Sequence, residues 1–264
     1  MGINLYLVRH GNTSWNTSDK FRGKADIFLS ELGREQATSQ GKRLSKVKFA
    51  HVYCSPLKRA QETATKIISL NCTPGLKEKL EIKPELASVD YGMWEGLTPA
   101  EVEEKWPGSF DKYAKEPHTV VFPGGESLSQ RLDKVLTVLD EALLKYGDKK
   151  DSEGNDLNIL FVTHQVVTRT FLCHCFKLPD ARGYWSIGQE TACLNIITIA
   201  ERDECVVEKM NIGPFDPMKI EETESVTTDS LKTFITKSTL IIMFLSTFLL
   251  DFVVYVDSTL WKVF

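Results

Sequence analysis

Four residues suited to phosphoryl chemistry stand where apolar runs of the sequence stop. They are Arg9, His10, Arg59 and His164. Two guanidinium groups offer planar, paired donors that match a tetrahedral oxyanion, and they keep their charge at physiological pH. A neutral imidazole is nucleophilic near neutrality, whereas a serine or a lysine needs activation. The set predicts phosphoryl transfer with His10 as nucleophile and His164 as a hydrogen-bond donor to the phosphoryl oxygens.

The same four residues argue against a metal site. Two arginines occupy positions that carboxylate or thiolate ligands should fill, and their positive charge repels a metal cation. The "CHC" stretch Cys173–Cys175 lies on a predicted helix, where residues two apart point in different directions, so we interpret these cysteines as ordinary thiols. We therefore predict a metal-independent site without a cofactor.

The elements that must position these residues alternate between strand and helix. Apolar runs predict strands at Ile3–Val8, Phe49–Cys54 and Asn158–Thr163, and at "CLNIITI" and "CVVEKM". Amphipathic patterns and caps predict helices from Ser30 to about Val47, at Lys58–Leu70, after Thr98, at Ser127–Tyr146 and after His164. This alternation predicts an α/β fold with a mainly parallel central sheet flanked by helices. Because ligand sites gather at the carboxyl ends of parallel strands, the four residues should meet at one sheet edge.

Composition narrows the class of protein. The chain has 264 residues, of which 42% are hydrophobic and 26% charged, as in an ordinary globular protein rather than a disordered one. A formal net charge of −4 gives no general attraction to nucleic acid or anionic membrane, so we expect no nucleic-acid partner, and any phosphate-binding patch must be a local concentration of Arg and Lys. Six scattered cysteines fit a reducing compartment, and the sequence enters a strand at once without a signal-peptide pattern. We expect a cytoplasmic protein; the oligomeric state stays open.

The composition changes after Pro214. We predict a catalytic domain over residues 1–213, an acidic Ser/Thr-rich linker over 214–237 and a hydrophobic C-terminal segment over 238–264. Ser238–Val256 is close to the ~20 residues that a membrane span needs, but Asp251 in its middle costs about 3 kcal/mol on insertion. A tail anchor, a membrane-surface helix and a segment packed on the domain remain alternatives, so membrane contact through this tail stays open.

Six motifs, in order from Ile3 to about Ile199, together resemble the histidine phosphatase superfamily in its phosphoglycerate mutase-like branch. They are "LVRHGNTSWN", "FRGKADIFLSELGREQA", "CSPLKRAQETA", "DYGMWEGLT", "FPGGESLSQRL" and "VTHQVVTR". The resemblance implies a phosphohistidine intermediate on His10. It also implies a phosphate pocket lined by Arg9, Arg59 and His164, with Asn16, Arg22 and Gly23 near the substrate.

The resemblance favours hydrolysis over isomerisation. Cofactor-dependent mutases carry a tryptophan- and arginine-containing stretch after "YG" that is missing between Gly96 and Pro123, whereas "FPGGESL" looks like the phosphatase members. The chain is therefore expected to be a phosphomonoester hydrolase for a small phosphorylated metabolite. A phosphoglycerate mutase-type isomerase is the alternative.

One departure from the family pattern concerns the proton donor. The family carries "L-x-E" before "YG", and its Glu protonates the leaving oxygen, whereas this sequence has Ser88 at that position. A serine cannot act as a general acid near neutrality. Glu85, Asp90 and Glu95 are the candidate replacements. If none of them serves, the chain is a weakly active or inactive pseudophosphatase that binds a phosphate ligand.

Overall fold

A six-stranded sheet forms the centre of the part of the chain that the structure describes. The computed structural model describes residues 2–17, 20–178 and 181–217. The strands are β1 (Ile3–Arg9), β2 (Phe49–Cys54), β3 (Leu80–Ile82), β4 (Leu157–Thr163), β5 (Leu194–Glu201) and β6 (Glu204–Ile212). Their order across the sheet is β3-β2-β4-β1-β5-β6. The strands β1 to β4 run parallel, and β5 and β6 form an antiparallel hairpin at one edge. The predicted α/β fold with a mainly parallel sheet is confirmed.

Helices connect and cover these strands. They are α1 (Glu31–Arg43), α2 (Lys58–Leu70), α3 (Pro99–Lys105), α4 (Ser109–Lys115), α5 (Leu128–Tyr146), α6 (Gln165–Cys175) and α7 (Ala181–Ser186). Thr98 and Ser127 form the capping boxes that begin α3 and α5. The helix predicted to reach about Val47 ends at Arg43, because Ser45 and Val47 N–H groups donate to carbonyls three residues back.

Three short elements have no clear signal in the sequence. The strand β3 has only three residues, none of them buried, and its position depends on pairing with β2. The helices α4 and α7 have seven and six residues, which is too short for a hydrophobic period to be recognised. Tertiary pairing and packing therefore decide these elements.

Two apolar clusters hold the described residues together. The larger one packs α5 and α6 against the sheet. The second is aromatic and gathers Phe21, Tyr91, Trp94, Tyr113 and Phe122, with ring centroids 4.7–6.1 Å apart in edge-to-face and tilted pairs. Edge-to-face contacts between aromatic rings stabilise beyond the area they bury. This cluster fixes the segment that carries α3 and α4.

The described chain stays packed on α1 as far as Asp216. Ser39 Oγ donates to the Pro214 carbonyl, and Arg43 donates to the Asp216 carbonyl over 2.7 Å. Among the described residues, no helix is long and apolar enough to cross a membrane. The hydrophobic segment Ser238–Val256 and the linker from residue 218 onward lie outside the described residues. The predicted domain, linker and tail boundaries stay predictions.

Candidate active site

The strand order brings the predicted catalytic residues together. The strand β4 lies between β1 and β2, and the carboxyl ends of the three strands are level. The His10 N–H donates to the Thr163 carbonyl over 2.9 Å, and the Ser55 N–H donates to the Val162 carbonyl over 3.0 Å. The residue after Thr163 is His164, which therefore stands between Ser55 and His10. The two histidine ring centroids are 5.1 Å apart.

A cavity of about 360 Å³ opens at this edge of the sheet. All seven residues predicted for catalysis and substrate binding line it, together with the serine at the acid position. They are Arg9, His10, Asn16, Arg22, Gly23, Arg59, His164 and Ser88. A second cavity of about 440 Å³ borders α5 and α6 and contains none of them. Because the residues predicted for catalysis and substrate binding line the first of these two cavities, it is the candidate active site.

The contacts of His10 define which ring nitrogen is reactive. His10 Nδ1 lies 2.7 Å from the Gly11 carbonyl oxygen, which can only accept, so Nδ1 carries the proton. Arg59 Nε donates to His10 Nε2 over 3.2 Å, which leaves Nε2 with its lone pair. Burial, and then the charges of Arg59 and Arg9, lower the pKa of His10 well below its usual value. His10 is therefore a neutral imidazole with an available Nε2 at pH 7.

The neighbouring His164 is oriented by Ser55. His164 Nε2 lies 2.7 Å from Ser55 Oγ, and that hydroxyl oxygen already accepts the Leu57 N–H. The Ser55 hydroxyl can donate its proton to His164 Nε2, and in that arrangement the ring proton lies on Nδ1. His164 Nδ1 is buried and makes no hydrogen bond to a described residue. In this tautomer His164 offers one unused N–H donor.

The arginines on either side of His10 are buried yet charged. Arg59 and Arg9 are 1% and 5% exposed, and burial lowers the pKa of each to about 10. Arg59 is held by the carbonyls of Ala25 and Gly23 at 2.6 and 3.0 Å. Arg9 donates to the Gln189 carbonyl. Both guanidinium groups stay protonated at neutral pH and have fixed orientations.

Three buried nitrogen atoms of the cavity residues have no hydrogen-bond partner among the described residues. They are Arg9 Nε, Arg22 Nη1 and His164 Nδ1. A buried polar atom without a partner costs about 1–3 kcal/mol, so a ligand that entered the cavity and bonded to these three atoms would remove that cost. Three donors around His10 match the oxygens of a phosphoryl group.

Backbone contacts shape the two loops beside His10. A Cβ on Gly11 would lie 2.4 Å from the Gly33 carbonyl oxygen, so only glycine lets the loop after β1 pack on α1. Gly23 has φ +45°, and a Cβ there would overlap Glu95 Oε1. Glu95 accepts the Lys24 N–H over 2.8 Å. Gly23 and Glu95 thus hold the loop that binds Arg59.

The three candidate proton donors do not line the cavity. Asp90 forms an ion pair with Lys24 and accepts the Gly92 N–H over 2.9 Å. Burial opposes the shift, but Lys24 and the Gly92 N–H hold the pKa of Asp90 below its usual value, so it stays ionised. Glu95 binds the neighbouring loop, and Glu85 contributes its carbonyl to Arg131. The structure brings Ser88 to the site but none of these carboxyl groups, and a donor role for any of them stays a prediction.

The "FPGGES" motif supports the segment that carries Ser88. Glu126 is 6% exposed and accepts from Arg131 Nε over 2.7 Å, Lys134 Nζ over 2.7 Å and the Asp90 N–H over 2.9 Å. Thr163 Oγ1 donates to the Leu86 carbonyl over 2.6 Å. These bonds attach the Ser88 segment to α5 and to the end of β4. In the sequence, "FPGGESLSQRL" is recognised as a family motif, but the motif does not assign this supporting role to Glu126.

Sequence reasoning missed several cavity residues. Lys20, Tyr91, Arg169 and Tyr184 also line the cavity. Arg169 follows His164 by five residues on the face of α6 that also presents Gln165, and helical spacing could have found it. Lys20 had no such signal because it lies in a loop. No described Asp or Glu lines the cavity.

The described residues contain no group of three or more His, Cys, Asp or Glu side chains arranged to hold a metal ion. In the "CHC" stretch, His174 Nε2 donates to the Arg202 carbonyl over 2.9 Å instead. The interpretation of its cysteines as ordinary thiols and the absence of a metal requirement stay predictions.

Comparisons with known proteins show the family and the fold of this chain. The model of the histidine phosphatase superfamily (branch 1) matches residues 5–213. Phosphoserine phosphatase 1 of Hydrogenobacter thermophilus is 33% identical over 210 residues, which cover 80% of this chain and 92% of the relative. Phosphoglycerate mutase-like protein 4 of Arabidopsis thaliana is 38% identical over 170 residues, which cover 63% of this chain and 68% of that relative. The solved structure of Bacillus stearothermophilus YhfR superposes with a TM-score of 0.69 at 28% identity, covering 81% of this chain and all of that one.

Proposed function

The chain belongs to the histidine phosphatase superfamily (branch 1) and is a phosphatase, and we propose that it hydrolyses small phosphomonoesters through a phosphohistidine on His10. The observation that carries the proposal is the pairing of a neutral His10 Nε2 with three unused buried donors around it. The proposal includes metal independence, because two fixed arginines supply the charge that a metal ion would otherwise supply.

The first step transfers the phosphoryl group to the enzyme. His10 Nε2 donates its lone pair to phosphorus while the bond from phosphorus to the leaving oxygen breaks and its electrons go to that oxygen. The imidazolium that forms keeps its Nδ1 proton, and the Gly11 carbonyl stabilises it. Arg9, Arg59 and His164 donate to the phosphoryl oxygens as charge redistributes among them.

The second step releases phosphate. A water oxygen bonds to phosphorus, the bond between phosphorus and Nε2 breaks, and His10 recovers its lone pair. The water proton leaves to solvent or to the phosphate. Arg59 Nε, 3.2 Å from Nε2 in the resting site, re-forms its hydrogen bond to the regenerated imidazole.

A single-turnover experiment tests this proposal. The full chain is mixed with an aryl phosphate, quenched at alkaline pH, digested and searched by mass spectrometry for a phosphopeptide containing His10. We expect phosphate on His10, loss of labelling in His10→Ala, and unchanged labelling in His118→Gln, which alters an exposed histidine outside the cavity. Labelling elsewhere, or turnover without any phosphoenzyme, would refute the mechanism.

A pseudophosphatase is the second candidate, because Ser88 stands at the acid position and no described carboxyl group lines the cavity. Its weakly active form predicts a phosphoenzyme from the aryl phosphate but not from an alkyl phosphate, and its inactive form predicts tight phosphate binding without phosphoenzyme from either. The mutase alternative is separated with 3-phosphoglycerate and a bisphosphorylated primer. A phosphatase releases inorganic phosphate, whereas a mutase accumulates the isomer.

A further inference from the structure

Two of the six cysteines contact each other where α6 ends against the β5–β6 hairpin. Cys175 is the last residue of α6, and Cys205 is the second residue of β6. The Cys175 thiol donates a hydrogen bond to the Cys205 sulfur, and the Cys205 thiol donates to the Arg202 carbonyl over 3.8 Å. Both thiols are free and half-buried. Sulfur atoms in such contact are close enough for side-chain rotation to bring them to bonding distance.

The backbone on both sides of this pair is held in place by its neighbours. Arg202 and Asp203 form the turn between β5 and β6. His174 Nε2 donates to the Arg202 carbonyl over 2.9 Å and lies 3.4 Å from Asp203 Oδ1. Cys175 and Cys205 both pack against the larger apolar cluster. The hairpin turn is thus attached to the last turn of α6, which keeps the two sulfur atoms together.

The two thiols differ in reactivity. The hydrogen bond from Cys175 lowers the pKa of Cys205, and the charge of Lys177 acts in the same direction. Burial and the carboxylate of Asp203 oppose this shift. The same hydrogen bond, together with burial, raises the pKa of Cys175. The thiolate is the form of cysteine that reacts with peroxides, so Cys205 is the member of the pair that is oxidised first.

The other cysteines differ from this pair in position. Cys54 and Cys193 are fully buried, and burial raises the pKa of each thiol, so both are protected from an oxidant in solution. Cys72 is exposed and provides a reference for an accessible thiol. Cys173 lies two residues before Cys175 on α6 and therefore points in a different direction.

We propose that Cys175 and Cys205 are a peroxide-oxidisable pair that closes a disulfide between α6 and β6. The Cys205 thiolate attacks one oxygen of hydrogen peroxide, the bond between the two oxygens breaks, and the other oxygen leaves as hydroxide, which takes up a proton to give water. The Cys175 sulfur then attacks the sulfur of the Cys205 sulfenic acid, and the departing hydroxyl leaves with the Cys175 proton as a second water. Two thiols and one peroxide thus give one disulfide and two water molecules.

The disulfide closes a ring around the connection from α6 to β5. That connection carries α7 and the Gln189 carbonyl, which accepts a hydrogen bond from Arg9. A closed ring of roughly 30 residues restricts the unfolded chain, so the oxidised protein should melt about 5–10 °C above the reduced protein. Neither sulfur atom lines the cavity at His10, so the pair does not depend on the proposed hydrolysis.

Peptide mapping of the full chain tests the pair. The reduced protein is treated with hydrogen peroxide, the remaining thiols are blocked with iodoacetamide, and the protein is digested with trypsin without reduction. Trypsin releases Cys175 in peptide 170–177 and Cys205 in peptide 203–209. We expect these peptides as a linked pair that is two hydrogens lighter than their sum, with the blocking group on Cys173, and we expect dithiothreitol to separate them and to reverse the rise in Tm.

Variants identify which thiol reacts first. Cys175→Ser keeps a hydroxyl donor beside the Cys205 sulfur but removes the second thiol, so the Cys205 sulfenic acid should be trapped by dimedone several-fold more than in the unaltered protein. Cys205→Ser should leave Cys175 without dimedone. Cys173→Ser is the matched control, because it removes a thiol from the same helix and should leave both the linked pair and the rise in Tm unchanged.

Oxidation of Cys72 without formation of the linked pair would overturn the proposal, and so would a link from Cys205 to Cys173 in place of Cys175. Dimedone on Cys175 rather than on Cys205 would overturn the order of attack. The linked pair is measured in the unaltered protein, so this result does not depend on the folding of any variant. If the pair forms while the same protein gives neither turnover nor phosphoenzyme, the proposed hydrolysis fails and the oxidisable pair stands.

Discussion

Restoring a carboxylic acid at position 88 should speed hydrolysis of substrates with poor leaving groups. Ser88 is 6% exposed and lines the cavity with His10, where no described carboxyl group is present. General acid catalysis contributes roughly 10²- to 10⁴-fold, which corresponds to about 2.7–5.4 kcal/mol of activation free energy. An aryloxide can leave without being protonated, whereas an alkoxide needs a proton in order to leave. The Ser88→Glu variant should therefore gain mainly on alkyl phosphates.

The cations of the cavity limit this gain at neutral pH. Arg9, Arg22 and Arg59 favour the ionised carboxylate, whereas burial and the bound phosphoryl dianion favour the protonated form. A part of the variant population is thus deprotonated at pH 7.5 and cannot donate. We expect the gain on an alkyl phosphate to be about tenfold or more at pH 5.5 and smaller at pH 7.5.

Steady-state rates on phenyl phosphate and ethyl phosphate measure the effect. Ser88→Gln is the matched control, because glutamine has the same size and cannot donate a carboxyl proton. The reasoning is refuted if Ser88→Glu and Ser88→Gln give the same ratio of ethyl to phenyl phosphate turnover. It is also refuted if the unaltered protein already hydrolyses both esters equally fast.

The remaining predictions concern the orientation of His164, the pH dependence of stability, metal independence and the loop that contains Gly23. Ser55→Ala should lower kcat on an aryl phosphate about tenfold, because His164 loses the partner that places its proton on Nδ1; an unchanged kcat would contradict that tautomer. Burial lowers the pKa of His10 and of His164 in the folded protein, so below about pH 6.5 the unfolded chain binds more protons. Urea denaturation should show the unfolding free energy falling by up to about 1.4 kcal/mol per histidine per pH unit below that value, with no such contribution above it. EDTA should leave activity unchanged, and a loss that added metal restores would contradict the metal-free mechanism. Glu95→Ala should lower turnover of aryl and alkyl phosphates by the same factor, because Glu95 orders the Arg59 loop; a loss confined to alkyl phosphates would identify Glu95 as the proton donor.

Local signals predicted most elements of the fold. Phe49–Cys54 and Lys58–Leu70 lie where the apolar patterns placed them, and the capping boxes at Thr98 and Ser127 begin helices as expected. Each of these patterns involves residues that are close together in the sequence, so it can be recognised without the tertiary structure. The short strand Leu80–Ile82 was not predictable, because its stability comes from pairing with a distant strand.

The sequence by itself determined which groups could do the chemistry. Arg9 ends a strand, His10 and His164 follow strands, and parallel strands bring their carboxyl ends to one edge; Arg59 lies in the first turn of the helix after β2. Their residue types and order were therefore enough to predict phosphoryl transfer, and the resemblance to a known family implied the same roles.

The tertiary structure alone decided how the site is completed. The order β2-β4-β1 places His164 between Ser55 and His10, which orients its ring. Asp90 and Glu95 are near Ser88 in the sequence, but both lie outside the cavity. Asp90 forms an ion pair with the Lys24 side chain, and Glu95 accepts the Lys24 N–H. Proximity along a loop does not fix side-chain direction, because distant packing and hydrogen bonds decide it. A cavity with five cations and no described carboxylate is likewise a product of several loops meeting, a property that no local pattern encodes.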